Sequence, residues 1–184
     1  MKFSLHQKGS NTEQKDGMDI SLVMIDLLPD PIWIENNVCK EVFKLTYSGA
    51  NNPIWIIRKK NSGIPLESSN PKIVLKISTE EAELIELLPD KMPIGIYNRM
   101  DDFTNKVFDV RKGDIIYLFS DGYADQFGGP LNKKIKYYQM GELLIANYDK
   151  PMNEQKGLLE SFFEEWQGNQ EQTDDVTVMG IKIS

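Results

Sequence analysis

Apolar and polar residues alternate along parts of this chain and run together in others, and the difference sorts it into elements. Residues 18–28 read as a strand that Pro29-Asp30-Pro31 breaks. Residues 42–47 and 54–58 read as alternating strands joined through Gly49-Ala50-Asn51-Asn52-Pro53, which predicts a hairpin. Residues 61–71 are rich in Gly, Pro, Ser and Asn and predict a loop. Two further strands are expected over 73–77 and 82–87. Residues 104–110 lead through Arg111-Lys112-Gly113 into the run Ile115-Ile116-Tyr117-Leu118-Phe119, which predicts a second hairpin. That run is continuously apolar, β-branched and aromatic, as in a strand covered on both faces.

Helical periodicity appears only late. Residues 138–148 are helical by composition. Over 153–167, Leu158, Leu159, Phe162, Phe163 and Trp166 fall on one face, so the stripe is read as core. Pro151 suits the first turn of that helix and Gly168 its end. A polar connector over 168–172 leads into a last strand over 176–183. Many strands followed by late helices predict an α+β fold with antiparallel β-sheets and helices packed on a sheet. The organisation expected is a polar N-terminal segment over 1–17 and one domain over 18–184. Neither an internal repeat nor a low-complexity tract is present.

Charge and composition narrow the function. Lys and Arg number 21 against 28 Asp and Glu, a net charge of -7, which disfavours nonspecific contact with nucleic acid or an anionic membrane. His6 is the one histidine, which disfavours a histidine-based zinc site or a Ser-His-Asp triad. Cys39 is the one cysteine, so an internal disulfide is excluded. No apolar run approaches the ~20 residues of a membrane span, and the start lacks the apolar core of a signal peptide. The cytoplasm is the compartment expected.

The chemistry concentrates at two strand ends. Asp121 and Asp125 follow the apolar run, and Asp174-Asp175 immediately precedes the last strand. Desolvating a carboxylate beside a buried strand is costly unless the charge is paired or holds a cation. Oxygen ligands of this kind suit Mg2+ or Mn2+. Each Asp also has a plainer reading, since Asp-Gly is common turn chemistry. Lys133, Lys134 and Lys136 form a small basic cluster after the first acidic turn, read either as a solvated loop or as an attraction for a phosphorylated protein.

Ser120-Asp121-Gly122-Tyr123-Ala124-Asp125 and Thr173-Asp174-Asp175-Val176-Thr177-Val178 resemble the late metal motifs of PPM-type protein serine/threonine phosphatases. The bacterial branch named after stage II sporulation protein E is the nearest in pattern. Tyr47-Ser48-Gly49-Ala50-Asn51-Asn52-Pro53 resembles its Ala-Gly turn between two strands, and Met92-Pro93-Ile94-Gly95 its Pro-x-Gly loop. Asp125-Gln126-Phe127-Gly128-Gly129 extends the acidic turn as in members attached to sensor modules. The resemblance runs from about Asp16 to Ser184.

It implies a two-sheet sandwich flanked by helices and a pair of Mg2+ or Mn2+ ions. Asp121 and Asp174 would be ligands of one ion, and Asp125 would help to hold a further, weaker one. Beside these, Ser120 and Thr173 are read either as hydrogen-bonding the ligands or as capping strand ends, Asp175 as standing behind the ligands or at the surface, and Asn51 and Asn52 as facing the site or as serving their tight turn alone. Gly122 and Gly95 would serve backbone geometry. The implied substrate is a phosphoserine or phosphothreonine protein, such as an anti-sigma-factor antagonist.

The family's early Gly-Asp motif and its second, Gly-rich Asp motif are not found. The one Gly-Asp pair, Gly113-Asp114, lies in the turn entering the apolar run. The chain is therefore read as the C-terminal part of a phosphatase domain, its front strands and some metal ligands absent, and as inactive or nearly so alone. An upstream phosphatase segment or sensor domain would be a partner, and uncovered apolar surface would favour self-association. A non-catalytic interaction or regulatory module keeping the phosphatase fold is the alternative; a cation-binding structural domain is a third.

Overall fold

A computed structural model describes residues 17–34, 38–60, 73–95 and 101–184. The expected loop over 61–71 and all of the expected N-terminal segment but Gly17 lie outside the described residues. The described chain divides into two compact units.

In the first unit the long strand β4 (Val38–Ala50) is the organiser. Its first half pairs antiparallel with β3 (Asp30–Ile34). Its second half pairs with β2 (Ile20–Ile25) on one edge and with β9 (Lys106–Val110) on the other. The short strands β1 (Gly17–Met18) and β8 (Ile94–Gly95) pair with each other. The alternation read in the sequence is literal here. Leu45 and Tyr47 of β4 and Phe108 and Val110 of β9 are buried, and the residues between them face outward, as a pleated strand with one covered face requires. On β2 the outward set is apolar: Leu22 and Met24 are 64% and 59% exposed.

The second unit holds a five-stranded sheet of order β13-β10-β5-β7-β6. These strands are β5 (Ile54–Lys59), β6 (Ile73–Ser78), β7 (Ala82–Leu87), β10 (Ile115–Phe119) and β13 (Val178–Lys182). The neighbours of β10 both run antiparallel to it, with Tyr117 opposite Trp55 on one side and Gly180 on the other. Here β5 and β10 are buried on both faces, while the edge strands β6 and β13 are largely exposed. Trp55, Ile57, Leu84, Ile115, Tyr117 and Phe119 join a core with helices α2 (Lys136–Ala146) and α3 (Met152–Gln167), while Ile54, Ile56 and Ile116 are buried as well. Most of the stripe on α3 is core: Leu159 is buried, and Phe162, Phe163 and Trp166 pack against the cluster, whereas Leu158, at the margin of the stripe, is exposed. Pro151 occupies the N-cap and Gly168 the C-cap, the latter at φ 55°, where glycine is favoured.

Both expected hairpins are absent. The chain leaves β4 at Ala50 and enters a different sheet at Ile54, and β9 and β10 likewise belong to different sheets. At the first crossing Asn51 takes a left-handed φ of 52°. The Asn52 carbonyl accepts hydrogen bonds from the Tyr47 and Ser21 hydroxyls, both at 2.8 Å, so side chains fix the turn instead of a ladder to β5. Strands β4 and β9 alternate and pair with each other, whereas Ile54–Ile57 of β5 and all of β10 are continuously apolar and pair with each other; the reading of 54–58 as alternating is thereby corrected.

The start of β10 carries the most buried charge among the described residues. Asp114 is 1% exposed and accepts from Arg58 Nε at 3.1 Å, from Arg58 Nη2, and from the Arg111 backbone N–H at 3.1 Å. Arg111 Nε stands 3.7 Å from its other oxygen. Removing the carboxylate would strand two buried guanidiniums without their shared counter-charge. Asp114→Ala should therefore lose ~3–5 kcal/mol of stability. Asp109→Ala, which breaks the half-exposed Lys44–Asp109 pair, should lose at most ~1 kcal/mol. Urea unfolding of the two variants measures the difference.

Candidate metal centre

The antiparallel register of β10 and β13 determines where the acids sit. Phe119 lies opposite Val178, so the chain leaving β10 and the chain entering β13 meet at the same end of the sheet. Asp121 belongs to the first segment and Asp174-Asp175 to the second. After Asp121 comes a single helical turn, α1 (Gly122–Asp125).

Residues flanking the first acidic turn brace the second. Ser120 Oγ donates to the Asp175 carbonyl at 2.8 Å and accepts from the Thr177 N–H at 2.9 Å. The buried Gln126 side chain donates to the Glu171 carbonyl at 3.0 Å and accepts from the Thr173 N–H at 3.1 Å. Gly122 lets the two turns approach: a Cβ there would lie 2.4 Å from the Asp175 carbonyl oxygen. Ser120 thus acts on backbone, as a strand-end residue does, and the role of Gly122 is close approach.

The carboxylates themselves are differently employed. Asp121, Asp174 and Asp175 are exposed, so the burial argument for a bound cation does not apply to them. Asp121 occupies the N-cap of α1 without a side-chain capping bond. One Asp174 oxygen accepts from the Asp175 N–H at 2.7 Å. Asp125 is half-buried and ion-paired with Lys134 Nζ at 2.8 Å. Lys134 comes from the two-residue strand β12 (Lys133–Lys134), which pairs with β11 (Phe127–Gly128). This lysine was read in the sequence as part of a basic cluster; it neutralises the acid expected to hold a weaker ion.

Tyr137, which the sequence reading left unremarked, stands against this edge. Its ring lies 6.0 Å from Trp55 and 5.9 Å from Phe119, centroid to centroid. Burial, and after it the charges of Asp121, Asp125 and Glu86, push its hydroxyl up to about 12. No motif signals it, because a tyrosine in the first turn of an amphipathic helix reads as packing.

Asn51, Asn52 and Gly95 belong to the other compact unit. There Asn51 donates to Asp19 at 3.0 Å and Gly95 pairs with Gly17. Oxygen donors such as Asp121 and Asp174 suit a hard cation by chemistry. Yet no group of three or more His, Cys, Asp or Glu that could hold a metal occurs among the described residues.

The family model for Stage II sporulation protein E (SpoIIE) matches residues 43–184. The chain belongs to the stage II sporulation protein E family of PPM-type phosphatases. No curated protein matches it in sequence. Among solved structures, the SiaA-PP2C domain of Pseudomonas aeruginosa matches with a TM-score of 0.59 at 20% identity, covering 79% of this chain and 51% of that one. The chain therefore spans about half the length of that relative. The likeness is one of fold, a mixed α+β PP2C-type domain with antiparallel sheets. No helix among the described residues is long and apolar enough to cross a membrane.

Gly122→Ala should cost ~1–3 kcal/mol by forcing the acidic turns apart. Gly157→Ala, on α3 with nothing within 4 Å of its Cβ, should gain ~0.5–1 kcal/mol from helix propensity; thermal melts of the pair test both. For Tyr137 the folded-state value is raised above the ~10 of a free tyrosine. Its contribution to stability is therefore present below about pH 10 and lost as pH rises through about 12. Tyrosinate absorbance should show late ionisation at Tyr137, and Asp121→Asn should bring it earlier.

Proposed function

We propose that this chain is part of a metal-dependent protein serine/threonine phosphatase domain of bacterial signalling, in which Asp121 and Asp174 hold one Mg2+ or Mn2+ ion. The observation that supports this reading is the β10–β13 register, which brings the Asp121 turn against the Asp174-Asp175 turn. The substrate class that goes with it is a phosphoserine or phosphothreonine protein, with an anti-sigma-factor antagonist as the type of partner. In such a domain the bound ions supply an activated water. This chain's residues would anchor and orient: two carboxylates for an ion, with Ser120 and Gln126 holding the turns that carry them. Asp125 is occupied by Lys134 in this arrangement and would contribute only after that pair opens.

A second reading is favoured by that same pair, in which Lys134 occupies Asp125. The chain would keep the phosphatase fold as a non-catalytic interaction or regulatory module. Both readings expect little or no turnover from these 184 residues alone, and they separate on metal. Under the first, Mn2+ binding followed by electron paramagnetic resonance is lost in Asp121→Ala and in Asp174→Ala, while phosphate release from a phosphoserine peptide stays negligible. No Mn2+ binding by the unaltered chain would favour the module. Rapid Mn2+-dependent phosphate release abolished by Asp121→Ala would mean that residues other than those named complete the site.

A further inference from the structure

Strand β13 ends its sheet, and no strand among the described residues meets its outer side. In an antiparallel pair, every second residue turns its N–H and C=O toward the partner and the others turn theirs away. Thr177 and Ile183 face β10. The Thr177 carbonyl accepts from the Ser120 N–H at 2.9 Å; the Ile183 carbonyl accepts from the Gly113 N–H at 2.8 Å, and its N–H donates to the Asp114 carbonyl at 2.9 Å. By that alternation Val178, Gly180 and Lys182 present their backbone groups to the open side. Met179, Gly180 and Lys182 are exposed. The edge holds no proline and no break in register, so it is a template for another strand.

Beside this edge lies a cavity of about 520 Å³, lined by Tyr117, Val178 and Gly180 of the sheet and by Met152, Leu159 and Phe163 of α3. Its polar groups are already employed. The Tyr117 hydroxyl donates to the Gln155 side-chain carbonyl, and the Gln155 amide donates to the Lys150 carbonyl at 2.8 Å. The Tyr123 hydroxyl donates to the Leu159 carbonyl at 2.9 Å. The interior therefore offers apolar surface, which suits a side chain delivered by an added strand. Helix α3 runs along the edge toward the acidic turns: Met152 stands against Gly180, and the Phe163 ring lies 5.3 Å from that of Tyr123. On the rim Glu160 pairs with Lys156 at 3.4 Å. Glu164, at the Val176 end of the same lining, has no ion-pair partner among the described residues, and neither has Lys182.

We propose that the β13 edge joins the same edge of a second copy of this chain, antiparallel about a two-fold axis at Gly180. The outward-facing residues then pair reciprocally, Gly180 with Gly180 and Val178 with Lys182. Val178 and Gly180 line the cavity, and strand residues two apart share a face, so Lys182 stands on that face as well. The second copy's Lys182 therefore arrives beside Val178, at the end of the cavity that carries Glu164. Its methylene stem covers the apolar lining and its ammonium meets the carboxylate. Symmetry makes this contact twice. The charges thus select a second copy as the occupant: the cation on the strand and the acid on the rim belong to one chain and meet across the axis. The pairing is independent of the metal reading.

Sedimentation equilibrium of the full chain tests the proposal. A reversible dimer is expected, weakened about tenfold or more by Lys182→Glu and likewise by Glu164→Lys, since each sets like charges together at both contacts. Combining the two substitutions should restore it. Both side chains are exposed, so the variants should fold, which circular dichroism checks. Amide hydrogen exchange locates the interface: the N–H groups of Val178, Gly180 and Lys182 should become protected as protein concentration rises. A monomer at every concentration would overturn the proposal, as would a dimer indifferent to both single variants. Dimerisation that leaves those amides unprotected would overturn it too, placing the interface on another surface. Protection of the same amides in a monomer, on addition of a different chain, would assign the edge to that chain instead.

Discussion

The second unit depends on one constraint: Ile115–Phe119 must lose contact with water on both faces and along both edges. The core residues of α2 and α3 cover Ile115, Tyr117 and Phe119, while β5 and β13 satisfy the backbone of β10 from either side. A strand so enclosed offers no place for charge along its length, because an unpaired buried ion costs far more than a hydrogen bond returns. Polar function is therefore driven to the two ends. At the entry, Asp114 is admitted to the interior only in company with Arg58 and Arg111. At the exit, Asp121 emerges into solvent.

Position at the exit is fixed by backbone, and charge is left free. Ser120 and Gln126 spend their hydrogen bonds on carbonyl and amide groups of the 171–177 segment and none on carboxylates. Gly122 adds a contact that any side chain would prevent. Such an arrangement holds the turns in place whether or not a cation is present. The aromatic group Trp55, Phe119 and Tyr137 forms an apolar surface beside the acids, which strengthens the field that Asp121 and Asp125 exert on the Tyr137 hydroxyl.

Much of this was legible in the sequence, for reasons that can be located. The apolar run before Asp121, the stripe from Leu158 to Trp166, and the caps at Pro151 and Gly168 are local signals, and each became the expected element, although Leu158 itself stays exposed. The motif pair around Asp121 and Asp174 led to the family and to the α+β fold. Pairing was less legible, since short connections such as Asn51–Pro53 were read as hairpin turns although they carry the chain between sheets. Strand character was the better guide there: Val42–Tyr47 alternates and Ile54–Ile57 does not. Exposure at strand ends was also misjudged, because burial of β10 does not extend to the residue two places beyond it. The partnership of Asp125 with Lys134 required the β11–β12 ribbon, which two-residue strands do not announce.

That partnership makes the acidic edge responsive to its medium. Asp125 and Lys134 are 39% and 40% exposed at the side chain, so mobile ions reach both. As salt rises, the Debye length contracts from ~10 Å at 0.1 M toward ~3 Å at 1 M, and the attraction between them fades. Salt therefore weakens the hold of Lys134 on Asp125, while the backbone hydrogen bonds that place the acidic turns are left as they are.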